Sequence, residues 1–165
     1  MLSPTGMPLP AMPWNSRTCT EMSENSKGTL VTGVIGSDTH IVGNRILSRA
    51  LEGEGFTVVA LGALTPANEF VDAAIETDAD AILVSSLYGQ GELDCRGFRD
   101  LCTEAGLEDI LLYVGGYLVV GDQPWEEVEQ RFKEMGFDRV FPPGTRPADV
   151  TGVLAEDIAA RREGS

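Results

Sequence analysis

From Thr29 onward the chain alternates short β-branched runs with apolar residues at helical spacing, and this alternation is the strongest constraint on its fold. Leu30 to Ile35, Phe56 to Leu61, Ala81 to Ser85, Ile110 to Val114 and Arg139 to Phe141 read as strands. The first intervening helix carries Ile46, Leu47, Ala50 and Leu51 and ends near Gly53 and Gly55. The second opens with Thr65 as cap and Pro66 at the first helical position, with Phe70, Ala73, Ala74 and Thr77 along one face. A third runs from about Asp94 to Ala105. Pro124 opens a fourth, which turns Val128, Phe132 and Met135 inward, and Pro147 opens the last, with Val150, Val153, Leu154 and Ile158. Strands separated by helices pair in parallel through crossovers, which cover both faces of the sheet. The expected architecture is α/β: a flavodoxin-like (Rossmann-like), doubly wound, five-stranded parallel sheet of order 2-1-3-4-5.

In that topology ligands bind outside the carboxyl ends of the strands, where the loops after strands one, three and four meet. Those loops are Ser37-Asp38-Thr39-His40-Ile41, then Ser85-Ser86-Leu87-Tyr88-Gly89-Gln90-Gly91-Glu92, then Gly115-Gly116-Tyr117-Leu118-Val119-Val120-Gly121. Small residues at Ser85, Ser86, Gly115 and Gly116 leave room for a large flat ligand and its tail, and a serine hydroxyl there can bond a buried polar group. Taken singly, Ser-Ser and Gly-Gly at strand ends are ordinary turn chemistry.

The first loop holds His40, the only histidine, with Asp38 two residues before it and Gly43 three after. An isolated histidine is more often a satisfied structural residue than a ligand. In general chemistry a neutral imidazole can ligate a borderline transition metal, and a nearby carboxylate can accept its other ring N–H. Gly43 would let a bulky group pass the helix start. The alternative is that Asp38 caps the helix, His40 decorates a loop and Gly43 relieves a turn.

Composition narrows the classes further. At 165 residues and 42% hydrophobic, the chain suits one domain with a sizeable core, and no stretch reaches the ~20 apolar residues of a membrane span. The net charge of -14 argues against gripping nucleic-acid backbones. Cys95 and Cys102, read as lying on one helix, would sit about 10 Å apart, too far for a disulfide. There is no Cys-x-x-Cys and no second histidine to build a structural zinc site. A cytoplasmic setting is expected. Residues 1–28, with Pro4, Pro8, Pro10 and Pro13, read as a disordered Pro-rich extension without a secretory pattern, and 29–163 as the single domain.

Asp-x-His-x-x-Gly on a strand-to-helix turn resembles the cobalamin-binding signature of corrinoid enzymes, where histidine is the lower axial ligand of cobalt. With Ser-x-Leu after strand three and Gly-Gly after strand four, the set looks like a complete cobalamin-binding domain. The runs GVIGSDTHIVGNRIL, AAIETDADAILVSSLYGQGELDCRG and VEQRFKEMGFDRVFPPGT are similar to the small subunit family of glutamate (methylaspartate) mutase, across residues 30 to 150. The resemblance implies an isomerase that uses adenosylcobalamin to interconvert L-glutamate and threo-3-methylaspartate. It implies a larger barrel-type catalytic subunit that holds the amino acid, in a heterotetramer of two small and two large chains. It makes His40 the metal ligand and Asp38 its hydrogen-bond partner. It assigns cofactor contacts to Ser37, Thr39, Ile41, Gly43, Ser85, Ser86, Leu87, Gly115, Gly116, Tyr117, Leu118, Val119, Val120 and Gly121, and no catalytic residue to this chain. Tyr117 departs from the small polar residue expected there. Tyr88, Gln90 and Glu92 are expected at the rim of the partner interface. A related mutase, a methyl-carrying corrinoid protein and a receiver or flavin module remain open alternatives. The second lacks the helical bundle such carriers place before this domain, and the third lacks both a receiver's acidic pocket and a Rossmann fingerprint.

Overall fold

The computed structural model describes residues 26–37 and 40–164. Five strands, β1 (Thr29–Val34), β2 (Thr57–Ala60), β3 (Ala81–Ser85), β4 (Leu111–Gly115) and β5 (Arg139–Phe141), form one sheet of order β2-β1-β3-β4-β5, as expected. Every pairing is parallel. The crossovers are α1 (Val42–Gly53), α2 (Ala67–Thr77), α3 (Gly91–Cys95), α4 (Phe98–Glu104) and α5 (Trp125–Glu134), and α6 (Pro147–Glu163) closes the chain. Helices on both faces divide the core in two. One cluster packs β-sheet residues Val31, Ile82, Leu112 and Val114 against Phe70, Phe98, Phe132 and Phe137. The other packs Leu30, Leu83 and Tyr113 against Leu51, Leu154 and Ile158.

Three local expectations are corrected. The helix read as continuous from Asp94 is broken at Arg96, whose backbone is extended with ψ 128°, so Cys95 and Cys102 lie on two short helices. Both cysteines are buried and free, and burial pushes the Cys102 thiol up to about 11, which makes it a packing residue and not a nucleophile. Thr65 does not cap α2: Pro66 is the N-cap residue, and the Thr65 hydroxyl donates to the Gly62 carbonyl at 3.2 Å. Ile46 points outward and is 57% exposed, because the buried face of α1 is built from Asn44, Ser48 and Leu51.

The reading of residues 1–28 as an extension falls, for residues 1–25, outside the described residues. Ser26 is already tied to the sheet, accepting from the Thr57 amide at 3.2 Å and the Thr57 hydroxyl at 2.9 Å, while the Lys27 amide donates to the Gly55 carbonyl at 3.0 Å.

The lower end of the sheet is locked by charge. Asp80 accepts from the Thr29 amide at 2.9 Å and pairs with Arg161 at 3.4 Å and Arg162 at 3.3 Å, so α6 is held across the strand starts. This leaves the opposite, carboxyl edge free to carry loops.

Candidate functional site

At the carboxyl edge β1 and β3, adjacent in the sheet, send their following helices to opposite faces, and the chain opens there. A cavity of about 210 Å³ lies between this edge, the start of α1 and the start of α6. A void of ~150 Å³ suffices for a benzene ring, so this one admits a heteroaromatic group. Its walls are Gly43, Asn44 and Leu47 of α1, Ser85 at the end of β3 and Leu87 beyond it, Gly115 at the end of β4 with Gly116 and Tyr117 beyond it, and Phe141 at the end of β5 with Pro142 to Thr145 beyond it, over a floor that includes Leu83, Tyr113 and Val150. None of the lining residues is charged. Such a wall suits a flat, neutral guest with a few hydrogen-bonding atoms.

The polar groups around it are placed by specific bonds. Asn44, 2% exposed, donates from Nδ2 to Ser85 Oγ at 3.2 Å, and Ser48 shares a 2.9 Å hydrogen bond with Thr32 of β1. These buried polar contacts replace the apolar stripe that usually seats a helix on a sheet. Ser86, fully buried, has a side-chain oxygen with no hydrogen-bond partner among the described residues. An unpaired buried hydroxyl costs free energy, so a ligand-binding edge is the natural place to retain one. Gly116 is required here, since its φ is 111° and a Cβ would lie 2.3 Å from the Ser86 carbonyl oxygen. Its smallness lets the loops after β3 and β4 cross.

The floor is held by Tyr113, whose ring tilts against Phe141 at a centroid distance of 5.6 Å and whose hydroxyl donates to Asp157 of α6. Burial, then the bond to Asp157, pushes the Tyr113 phenol well above its ordinary range. Asp157 is held below the usual carboxylate range by the hydrogen bonds of Arg139, both at 3.0 Å.

The expected contacts fall into distinct places. Gly43, Ser85, Leu87, Gly115, Gly116 and Tyr117 line the cavity, and Ser86 sits buried beside it. Ser37 and His40 are exposed on the loop between β1 and α1, with Ile41 as the α1 N-cap residue. Asp38 and Thr39 lie outside the described residues. Leu118 is 2% exposed and belongs to the core, with Val119 packed against the same cluster. Val120 is 67% exposed and Gly121 exposed, away from the cavity. Of the residues expected at the partner rim, Gln90 is exposed, whereas Tyr88 is half-buried and hydrogen-bonded and Glu92 pairs with Arg131 at 2.9 Å. Asn44, Leu47 and the Phe141-Pro142-Pro143-Gly144-Thr145 turn were not singled out from the sequence. The Pro-Pro-Gly-Thr run directly after the fifth strand was the available signal, because every such loop reaches the same edge.

The donor set also bears on the kind of metal. Among the described residues no three His, Cys, Asp or Glu side chains are grouped to hold a metal ion. A lone imidazole on a loop fits a metal whose other ligands arrive with it, as in a macrocycle. No helix among the described residues is long and apolar enough to cross a membrane.

Residues 28–150 match the B12 binding domain family. The chain is 61% identical over 132 residues to the glutamate mutase sigma subunit of Clostridium tetani (strain Massachusetts / E88), an alignment spanning 80% of this chain and 96% of that one. It is likewise 61% identical over 132 residues to the glutamate mutase sigma subunit of Clostridium cochlearium, with the same shares. The monomethylamine corrinoid protein of Methanosarcina barkeri shares the fold at a TM-score of 0.66 and 23% identity, over 83% of this chain and 62% of that longer one.

Proposed function

We infer, from a chain that belongs to the B12 binding domain family and within it to the glutamate mutase sigma subunits, that this protein is the cobalamin-binding small subunit of a two-component isomerase. The observation that carries the reading in the molecule itself is the uncharged cavity at the carboxyl edge, with the Ser86 hydroxyl, which has no partner among the described residues, beside it and the His40 loop at the same edge. Within that reading His40 would hold the cobalt through its imidazole, and Asp38 would accept the other ring N–H. The cavity takes the cofactor's nucleotide tail: Ser85 and Ser86 offer hydroxyls to its heteroatoms, while Gly43, Leu87, Gly115, Gly116 and Tyr117 form the walls. Ser37, Thr39, Ile41, Val120 and Gly121 would contact the corrin, and Leu118 and Val119 would back that loop from the core.

The cofactor form is adenosylcobalamin, which when bound supplies radical chemistry from its cobalt–carbon bond. This chain's own work is to bind and orient it and to exclude water from one side. The reaction assigned to the assembled enzyme is the interconversion of L-glutamate and threo-3-methylaspartate. The substrate is held by a larger, barrel-type subunit, in a heterotetramer of two small and two large chains in the cytoplasm. The size of the fold supports this division. Residues 29–163, proposed as the cofactor domain that follows a Pro-rich extension, are taken up by one five-stranded sheet, its covering helices and the loops that join them, which favours a substrate site on another chain.

The test is an assay of glutamate-to-methylaspartate conversion with adenosylcobalamin, with and without the large subunit. Turnover should require both chains, and His40→Ala should abolish it and weaken cobalamin retention while circular dichroism stays unchanged. Turnover by the small chain alone, or by the His40→Ala holoenzyme at the wild-type rate, would overturn the assignment.

A further inference from the structure

The loop that carries His40 begins at Gly36, and its first two residues are gripped from both sides. On one side the Gly36 amide donates to the Thr65 carbonyl at 3.0 Å, where Ile35 forms a parallel bridge with Thr65. On the other side stand Tyr88, from the loop after β3, and Asp94 of α3. The Tyr88 hydroxyl donates to the Asp94 carboxylate and accepts from the Ser37 amide at 3.4 Å. The Asp94 carboxylate lies against Gly36, where a Cβ would sit 2.3 Å from its oxygen, and the left-handed φ of 72° at Gly36 independently favours glycine. Tyr88 is in turn anchored through its neighbour, since the Gly89 amide donates to the Tyr117 carbonyl at 3.0 Å.

Asp94 makes no ion pair among the described residues, in a chain of net charge -14. Among the described residues no cation draws this carboxylate away from the phenol. A carboxylate is a good choice for holding a phenol in one orientation, because a charged acceptor makes the stronger hydrogen bond.

The geometry points to Tyr88 and Asp94 as positioning residues that set the start of the His40 loop before any cofactor arrives. The inference rests on the cobalamin reading above. The phenol fixes the Ser37 amide, and the carboxylate fixes the phenol and occupies the space beside Gly36; in sequence Ser37 stands three residues and Gly36 four residues before His40. Ordering these residues beforehand lowers the entropy lost when the loop engages its ligand.

The test uses the full chain and the variants Tyr88→Phe, Asp94→Ala and Asp94→Asn. Amide hydrogen exchange at Ser37 is followed without cofactor, and binding is measured for cobalamin and for cobinamide, which lacks the nucleotide tail. Tyr88→Phe keeps the ring and removes only the hydroxyl, so circular dichroism should not change. Ser37 exchange should quicken about two- to tenfold, the equivalent of one net hydrogen bond, and affinity for both corrinoids should fall by a similar factor. Asp94→Ala should reproduce the loss and Asp94→Asn, which retains an acceptor oxygen, should recover part of it. Wild-type exchange at Ser37 in Tyr88→Phe would overturn the inference. So would a loss of affinity for cobalamin with cobinamide unaffected, which would assign Tyr88 to the tail. If instead wild-type protein and His40→Ala bind cobalamin equally, the axial-ligand reading fails, and the exchange data still report on the clamp by themselves.

Discussion

Replacing Ser86 with alanine should stabilise the protein without cofactor and weaken its hold on cobalamin. The side-chain oxygen of Ser86 is buried and has no partner among the described residues. From mutational series, an unpaired buried hydroxyl costs about 1–3 kcal/mol. Removing the oxygen leaves a small void, so the gain is set at the lower part of the range, about 1–2 kcal/mol. The backbone is unaffected, since the Ser86 amide donates to the Gly115 carbonyl at 3.1 Å whatever the side chain. For a domain of this size each kcal/mol moves the melting temperature by about 2–4 °C, so Ser86→Ala should melt roughly 2–8 °C higher in the apo form. If the hydroxyl is kept for a cofactor atom, cobalamin affinity should fall about two- to tenfold, the worth of one net hydrogen bond. Calorimetry of the apo protein and titration of both proteins with cobalamin give the two numbers. A variant that is less stable without cofactor would show that the hydroxyl has a partner, and unchanged affinity would remove Ser86 from the site.

Stability should fall at both ends of the pH scale through one cluster. The Asp157 carboxyl is depressed chiefly by Arg139, so its contribution is present above the ordinary carboxylate range near 4 and is lost as acid protonates it through its lower folded value. The Tyr113 phenol is raised by burial and then by Asp157, so its contribution is complete below about pH 10 and declines above it; Tyr113→Phe should flatten that alkaline limb in denaturant titrations. Removing residues 1–25 should leave the melting temperature unchanged, whereas removing 1–27 deletes the Ser26 and Lys27 bonds to the start of β2 and should lower it, a difference that one pair of melting curves decides.

Much of the fold was readable in the order of residues. Strict alternation of apolar runs with helical patterns admits only crossovers, and crossovers dictate a parallel sheet, so the strand order 2-1-3-4-5 and the bounds of β3 and β5 agree with expectation. The edge carrying His40, Ser85 and Gly115 was likewise implied, because every strand in such a sheet ends on the same side. Periodicity misled where polar groups took the place of apolar ones. The α1 helix seats Asn44 and Ser48 on the sheet through Ser85 and Thr32, which turns Ile46 to solvent although its spacing matches an inward stripe. Sequence distance also hid the contacts that complete the site. Phe141 to Thr145, a whole helix away from the Gly115-Gly116 turn, reaches the cavity only because β5 lies beside β4, and Asp94 meets Gly36 across 58 positions only because β3 lies beside β1. Local pattern determines which elements form and which residues can face inward, because both depend on dihedrals and burial within one segment. Which loops touch is decided by strand adjacency and by side-chain hydrogen bonds between elements, and only the folded chain supplies those.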